Sequence, residues 1–242
     1  LIHDNALWEY TGPVNGSRYK FNVEHSPNIT QSDLSYTTVE ADYRKYNRIG
    51  RRYSFITRFS GGASFGRDPR MFFLGGDQGW LNAKVSWLGP EIETSRDIYF
   101  ARAAYPMRGF RWNEFYGRKY FLTNFEFRFP FIDYIVIGWP FQFAIGNIGG
   151  VFFTDIGSAW ERNMLVGVTP EYEPIIVYDK SFHGGGQGAS GGFALDDIKM
   201  SFGTGIRMNL GFAVLRFDTA WRTTLEDTEP SPMFNISLGP DF

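Results

Sequence analysis

The chain has 242 residues, of which 43% are hydrophobic and 19% aromatic, yet its mean hydropathy is only −0.26. Apolar and polar residues are therefore closely interleaved, which excludes a bundle of membrane helices, because each helix needs about 20 consecutive apolar residues. The net charge of −2 excludes a general attraction to nucleic acid, and the absence of cysteine excludes disulfides and thiolate metal sites.

Segments of about ten residues with strict alternation recur along the chain, separated by Gly, Pro, Asn and Asp. In the segment 17–26, Tyr19, Phe21 and Val23 share one face, while charged and polar residues occupy the other. A period of two is typical of β-strands whose two faces meet different environments. We predict nine strands, at 6–11, 17–26, 34–46, 53–64, 119–129, 148–160, 199–208, 211–222 and 233–242.

The composition of the two faces indicates the kind of sheet. The apolar face is rich in aromatic residues, and the polar face carries charges of both signs on nearly every strand. A soluble β-sandwich, the alternative interpretation, would turn its apolar face inward. A closed membrane barrel needs the opposite arrangement, with lipid outside and a polar lumen, and strands of about 9–11 residues are long enough to cross. We therefore predict an all-β fold, a transmembrane antiparallel β-barrel.

Three long connections interrupt the predicted strands, at 67–117, 131–147 and 162–197. The middle one is apolar and is expected near a membrane rim, with Tyr134 and Trp139 as interfacial aromatic residues. Bacterial single-chain barrels have an even number of strands, so a count of nine predicts that further strands precede residue 1. The alternative is that the stretch 80–105 contributes strands of its own.

A series of motifs runs in a specific order along the chain. The motifs are GSR at 16–18, GG at 75–76, MRGF at 107–110, NFEFRFP at 124–130, VFFTDIGSAW at 151–160, SFGTGIR at 201–207 and an aromatic last strand. This order, which covers nearly the whole chain, resembles the barrel of the bacterial surface antigen superfamily. That superfamily includes BamA-like insertases, TamA-like proteins and two-partner-secretion transporters.

The resemblance implies a barrel of sixteen strands in the bacterial outer membrane. Residues 1–242 would then be the C-terminal part of one barrel domain, and the nine strands would be its last nine. Upstream strands and any periplasmic domains would precede them. The chain departs from the family pattern at 77–106, where about thirty residues separate the Gly-Gly pair from Arg-Gly-Phe and many members have only a few. An additional extracellular excursion is expected there.

In this superfamily the Arg-Gly-Phe tip belongs to an extracellular loop that folds back into the lumen. The resemblance therefore implies that Arg108, Gly109 and Phe110 lie inside the barrel, with Glu126 and Asp155 as the partners of Arg108. Alternation independently places both carboxylates on the polar face. Neighbouring carboxylates repel each other unless a cation lies between them, and the arginine fork binds carboxylates at two points. The alternative is an ordinary solvated loop arginine.

The resemblance also implies a function, the insertion or translocation of polypeptides without ATP through a seam between the first and last strands. Pro240 would shorten pairing at this seam, because proline lacks a ladder donor. The seam residues of the last strand are Phe234, Ile236, Leu238 and Phe242. Expected partners are outer-membrane lipids, unfolded outer-membrane or secreted polypeptides, and accessory periplasmic proteins or lipoproteins. The alternative is a membrane anchor or pore for an upstream periplasmic or surface domain.

No catalytic site, metal or cofactor is expected. His3, His25 and His183 are too scattered for a metal triad, and the Gly-rich run at 183–192 lacks the Lys and Ser/Thr that end a phosphate-binding loop. An outer-membrane lipase, a third hypothesis, would need a Ser–His pair at the lipid interface, and none is visible. The remaining loop acids are expected to be solvated rather than to bind calcium: Asp196, Asp197 and Asp241.

Overall fold

The computed structural model of the chain describes residues 1–9, 11–28, 34–84, 102–104, 106–138, 140, 143–160, 198–224 and 227–239. The predicted connection 162–197, with its Gly-rich run, lies outside these ranges. So do several residues named above: Trp139, His183, Asp196, Asp197, Pro240, Asp241 and Phe242. Within the described residues, no helix has the length and hydropathy needed to cross a membrane.

The described residues form thirteen β-strands. They are β1 (Ile2–Asp4), β2 (Leu7–Glu9), β3 (Gly12–Ser26), β4 (Tyr36–Ile49), β5 (Tyr53–Gly66), β6 (Phe72–Leu74), β7 (Arg102–Ala104), β8 (Phe115–Gly117), β9 (Lys119–Ile137), β10 (Phe143–Trp160), β11 (Lys199–Asn209), β12 (Val214–Thr223) and β13 (Met233–Gly239). The fold is therefore all-β over this part of the chain, as predicted.

Ten of these strands form one antiparallel sheet, in the order β1-β3-β4-β5-β9-β10-β11-β12-β13, with β2 also paired to β3. From β3 onward, successive strands of this sheet are neighbours, and β9 lies next to β5 across the connection that contains β6, β7 and β8. These three form a small separate sheet, in which β6 is parallel to β7 and antiparallel to β8. We preferred a connection without strands at 67–117, with strands in the stretch 80–105 as the alternative. β7 lies in that stretch, and β6 and β8, which were not predicted, are a correction.

The first predicted strand, 6–11, corresponds to the shorter β2, and β1 was not predicted. Both strands pair with β3 and are separated by a break at Asn5 and Ala6. The side chain of Asp4 accepts a hydrogen bond from the Ala6 N–H, and that of Asn5 accepts one from the Ser17 N–H at 2.7 Å. Short polar side chains compete in this way with the backbone hydrogen bonds between strands, and the strand is interrupted at these residues.

Two further predicted limits differ from the structure. Most of the predicted connection 131–147 is strand, because β9 runs to Ile137 and β10 begins at Phe143. Asn147 has a φ of 56°, and the register shifts between Ile148 and Gly149. The strand predicted at 211–222 begins only at Val214, because the chain turns through Gly211 with a φ of +91°. Apolar content alone does not locate turns.

The connections differ in length between the two ends of the sheet. The stretches that join β4 to β5, β9 to β10 and β11 to β12 are short, and antiparallel pairing places them at one end. The stretches that join β3 to β4, β5 to β9, β10 to β11 and β12 to β13 are longer and belong to the opposite end. Short turns at one end and long loops at the other are typical of outer-membrane barrels.

The two faces of the main sheet have inverted polarity. On the aromatic face, which carries the apolar residues predicted above, Phe59 is 50% exposed and Phe152 is 55% exposed. On the polar face, Arg58 is 5% exposed, while Glu126 and Asp155 are completely buried. The soluble sandwich considered above would show the reverse. Because aromatic side chains exposed to water cost free energy, this polarity suits an apolar surrounding.

The connection between β5 and β9 covers the polar face and has an apolar cluster of its own. Phe72 packs on Tyr120 of β9, with ring centroids 4.7 Å apart. The buried members of the cluster are Phe72, Leu74, Ala104, Met107, Phe110, Tyr120 and Leu122. Burial of these residues holds the connection against the sheet. The polar side chains of the connection therefore lie over the charged residues of the strands.

We predict that the aromatic face contacts lipid and that Phe152→Arg, near the middle of β10, lowers the free energy of folding into bilayers by about 2–4 kcal/mol. Phe212→Arg is the matched control, because Phe212 is 82% exposed in the short turn after β11 and is expected to cost about 0–1 kcal/mol. Urea titration of the protein in vesicles measures both. Equal effects of the two substitutions would contradict a lipid-facing β10.

Candidate functional site

The Gly-Gly pair lies beside the Arg-Gly-Phe tip, although about thirty residues separate them. Gly76 and Met107 exchange two backbone hydrogen bonds, of 3.0 Å and 2.9 Å, and Arg108 follows directly. Gly75 and Gly76 both have positive φ, and a Cβ on Gly75 would lie 2.3 Å from the Arg111 carbonyl oxygen. Only glycine fits this close approach, so the pair determines where the tip begins.

Arg108 is buried on the polar face, with 1% of its surface exposed. Its Nε and Nη2 donate to the two carboxylate oxygens of Asp155 at 2.8 Å and 2.7 Å, and its Nη1 donates to Glu126 at 2.6 Å. Its backbone N–H also donates to Asp155. The guanidinium lies over the ring of Phe153, 3.7 Å from the centroid. The structure thus brings together the three charged residues that the sequence analysis named.

Two further side chains complete the bonding of these carboxylates. Arg128 donates to the second oxygen of Glu126 at 2.8 Å and 3.0 Å, and Asn124 donates to Asp155 at 2.8 Å. Each of the four carboxylate oxygens therefore accepts at least one hydrogen bond. We call these five residues, Arg108, Asn124, Glu126, Arg128 and Asp155, the Arg108 cluster.

The charges of the Arg108 cluster are balanced, since two arginines face two carboxylates. Burial alone would lower the pKa of Arg108, but Asp155 and Glu126 raise that pKa well above its usual value. The guanidinium therefore remains charged, and both carboxylates are fully occupied by donors. This geometry suits the fixing of a loop tip rather than proton transfer or ligand exchange.

The backbone after Arg108 is held by two other strands. Ser201 of β11 donates its hydroxyl hydrogen to the Arg108 carbonyl at 2.5 Å, and Arg222 of β12 donates to the Gly109 carbonyl at 2.6 Å. Arg222 also forms an ion pair with Glu114, in which both nitrogen–oxygen distances are 3.0 Å. The tip is therefore bonded to the four consecutive strands β9, β10, β11 and β12.

Gly109 and Phe110 fit the same site in different ways. Gly109 has a φ of +85°, and a Cβ on it would lie 3.1 Å from Ala220 and 3.2 Å from Ser201. Phe110 is 4% exposed, packs on Phe115 with ring centroids 5.1 Å apart, and lies under the Arg222 guanidinium. Arg222 was not assigned to the site from the sequence, although it alternates with the apolar Trp221 and shares one side of β12 with Arg216 and Asp218.

The last strand carries the residues expected at the seam. Phe234 is 61% exposed, and Ile236 and Leu238 are half-buried. In the described part of the chain, which ends at Gly239, β13 spans seven residues, compared with 19 for β9 and 18 for β10. Within the described ranges, no three His, Cys, Asp or Glu side chains are grouped so that they could hold a metal ion.

We predict that Arg108→Ala lowers the free energy of unfolding by about 3–5 kcal/mol, because it leaves Glu126 and Asp155 buried without their shared cation. Arg108→Lys keeps the charge but loses the two-point geometry, so it should lie between the alanine variant and the parent. Arg111→Ala, at an exposed position three residues away, is the control and should be close to neutral. Denaturant titration with gel mobility as the readout of folding measures each variant; a neutral Arg108→Ala would contradict the proposed bracing role.

We also predict that Gly109→Ala is more damaging than Gly50→Ala. Both glycines have positive φ, so both substitutions carry backbone strain of about 1–2 kcal/mol. Only Gly109 would additionally press its new Cβ on Ala220 and Ser201, since no atom lies within 4 Å of a Cβ on Gly50. The difference should be about 1 kcal/mol or more in the same denaturant titration. Equal losses would mean that the tip has room to shift.

Comparison with known proteins agrees with this geometry. Residues 8–242 match the Omp85 superfamily domain, which confirms the resemblance drawn from the order of the motifs. A search of curated proteins finds no match. Omp85 domains are β-barrels, and the proteins that contain them are outer-membrane transporters and insertases of Gram-negative bacteria or organelles. Because the match takes in the Arg108 cluster and every strand from β3 to β13, the chain belongs to the Omp85 superfamily.

Proposed function

We propose that this chain is the C-terminal part of a sixteen-stranded bacterial outer-membrane barrel that inserts or translocates polypeptides without ATP through a lateral seam at β13. The remaining strands, and any periplasmic domains, would precede residue 1. Its partners would be membrane lipids, unfolded outer-membrane or secreted polypeptides, and accessory periplasmic proteins or lipoproteins. Membership of the Omp85 superfamily supports insertion or translocation as the general activity.

The inverted polarity of the sheet is the observation that carries this proposal. Exposed aromatic residues such as Phe152 lie on one face, and fully buried ions such as Glu126 lie on the other. A sheet of this kind closes into a barrel with lipid outside and charged side chains inside. In such a barrel the Arg108 tip would be an extracellular loop folded into the lumen.

The bonding of the tip supports a division between a rigid wall and a movable edge. Arg108 and Arg222, with their partners, join the loop to β9, β10, β11 and β12. Such buried, fully paired contacts resist separation, because breaking one leaves an uncompensated ion. We propose that this wall stays intact while movement is confined to β13 and the strand that would close against it.

The pairing of β13 supports its role as the edge that opens. Within the described residues, which end at Gly239, β12 and β13 pair over seven residues, whereas β9 and β10 pair over seventeen. Fewer ladder bonds make β13 easier to separate than the strands of the wall. An exposed strand edge can pair with an extended segment of another polypeptide, and this is the physical basis of strand-templated insertion. No step in this scheme uses nucleotide.

The proposal predicts that a photo-crosslinking amino acid at Phe234 of β13 forms adducts with an unfolded outer-membrane protein during its insertion into vesicles. The matched control is the same amino acid at Phe152, which is similarly exposed but lies in the wall. We expect adducts from position 234 and at least about tenfold fewer from position 152. Equal yields, or adducts at neither position in a protein that folds normally, would favour an anchor or pore for an upstream domain instead.

A further inference from the structure

The second edge of β13, away from β12, is already occupied by a segment of the same chain. The Leu238 N–H donates to the Gly79 carbonyl at 3.0 Å, and the Leu81 N–H donates to the Ile236 carbonyl at 2.7 Å. Trp80 lies opposite Ser237 as an antiparallel partner. Residues 79–81 therefore pair with β13 as an additional strand would.

The side chain of Asn82 extends this pairing by mimicking a peptide group. Its Oδ1 accepts from the Ile236 N–H at 2.8 Å, and its Nδ2 donates to the Phe234 carbonyl at 3.0 Å. The Trp80 indole N–H donates to the same Oδ1 at 2.6 Å, which orients the amide. Four backbone groups of β13 that point away from β12 are thus bonded by residues 79–82. They are the Phe234 carbonyl, the Ile236 N–H and carbonyl, and the Leu238 N–H.

The segment also follows the polarity of the sheet that it extends. Trp80 is 9% exposed and lies beside Gly76 on the polar face, whereas Leu81 is 63% exposed. This alternation matches that of β13, in which Ser237 is buried and Phe234 is exposed. A segment that alternates in the register of its neighbour fits the edge as a strand and not only as a passing loop.

Residues 77 and 78 anchor the segment to the polar face. The buried carboxylate of Asp77 accepts a hydrogen bond from Ser237 at 2.9 Å and lies 3.5 Å from Arg216 of β12. Arg216 also donates to the Gln78 carbonyl at 2.5 Å. Because Asp77 and Arg216 are both buried, separation of the segment from β12 and β13 would leave two ions without these contacts. We call residues 77–82 the cap segment.

Gly79 makes the close approach possible. Its φ is +70°, and a Cβ at this position would lie 2.1 Å from the Leu238 carbonyl oxygen. Any other residue would have to move away from β13, and the two backbone hydrogen bonds would lengthen with it. The cap segment belongs to the stretch 77–106, the additional excursion by which this chain departs from the pattern of its superfamily.

We propose that the cap segment is a built-in blocking strand, which occupies the edge of β13 and must be displaced before that edge can pair with a strand of another polypeptide. The proposal rests on the function proposed above. Each backbone donor and acceptor of an edge pairs with one neighbouring strand at a time, so the cap segment also competes with the strand that would close the barrel against β13. The cap segment therefore protects this edge when the seam is open and no other strand is paired there.

The experiment uses the full-length protein in vesicles, with the substitutions Trp80→Cys and Ser237→Cys. The chain has no cysteine of its own, so the pair would be unambiguous. Directly opposed residues of a non-hydrogen-bonded pair lie about 4.5 Å apart at Cα, which permits a disulfide. The control pair, Trp80→Cys with Phe234→Cys, places the second thiol on the other face of β13. We expect at least about tenfold faster crosslinking in the first pair, and equal rates would overturn the proposal.

A second set of variants tests the pairing without a disulfide. Asn82→Ala removes two bonds to the edge, so adducts from a photo-crosslinker at Phe234 should increase by about tenfold. Lys84→Ala is the matched control, because the exposed Lys84 lies two residues beyond Asn82 and outside the cap segment, and it should leave the yield unchanged. Gel mobility verifies that each variant is folded. Unchanged adducts in a folded Asn82→Ala protein would overturn the blocking role.

The disulfide also separates this proposal from the one it rests on. If the cap blocks the edge, the locked protein should lose adducts from position 234 and regain them after reduction. Full activity in the locked form would show that β13 is used without displacement of the cap. If the reduced protein forms no adducts at all, the proposed insertion or translocation fails. In that case the crosslinking rate alone still decides whether the cap segment occupies β13.

Discussion

The buried ion pairs around Arg108 are the contact on which the rest of the structure depends. Glu126 and Asp155 come from neighbouring strands and have no access to water, so each would be destabilising alone. Arg128 of β9 bonds Glu126, but the cation that both carboxylates share, Arg108, comes from the connection between β5 and β9. Docking of that connection therefore stabilises the central strands, because its loss would leave the two acids without their shared cation.

The same constraint explains why so many polar side chains on this face are found in pairs. Arg58 with Asp42, Arg207 with Asp218, and Arg222 with Glu114 all repeat the pattern of the Arg108 cluster. A sheet whose apolar residues point outward has little hydrophobic core with which to hold itself together. Its interior is stabilised by directional, charge-assisted bonds, and these specify a single position for the loop tip more sharply than apolar packing would.

The sequence predicted the two faces and the three charged residues of the site, because period two follows from strand geometry and the motif order identifies the loop tip. It did not predict the break between β1 and β2, where the side chains of Asp4 and Asn5 take over bonds of the ladder. It also missed the pairing of the cap segment with β13, whose members lie more than 150 positions apart. Contacts between residues so far apart in the sequence depend on how the folded strands pack, and the presence of Gly79 alone does not predict them.

The pairing of Gly76 with Met107 joins the cap segment to the Arg-Gly-Phe tip. It lies one residue from Asp77, where the cap segment begins, and one residue from Arg108. Displacement of the cap segment, as proposed, would act on the tip through the two backbone hydrogen bonds of this pair. Any coupling between the cap segment and the tip is reciprocal by thermodynamic linkage, so displacement of the cap and loosening of the tip would favour or oppose each other by the same coupling free energy.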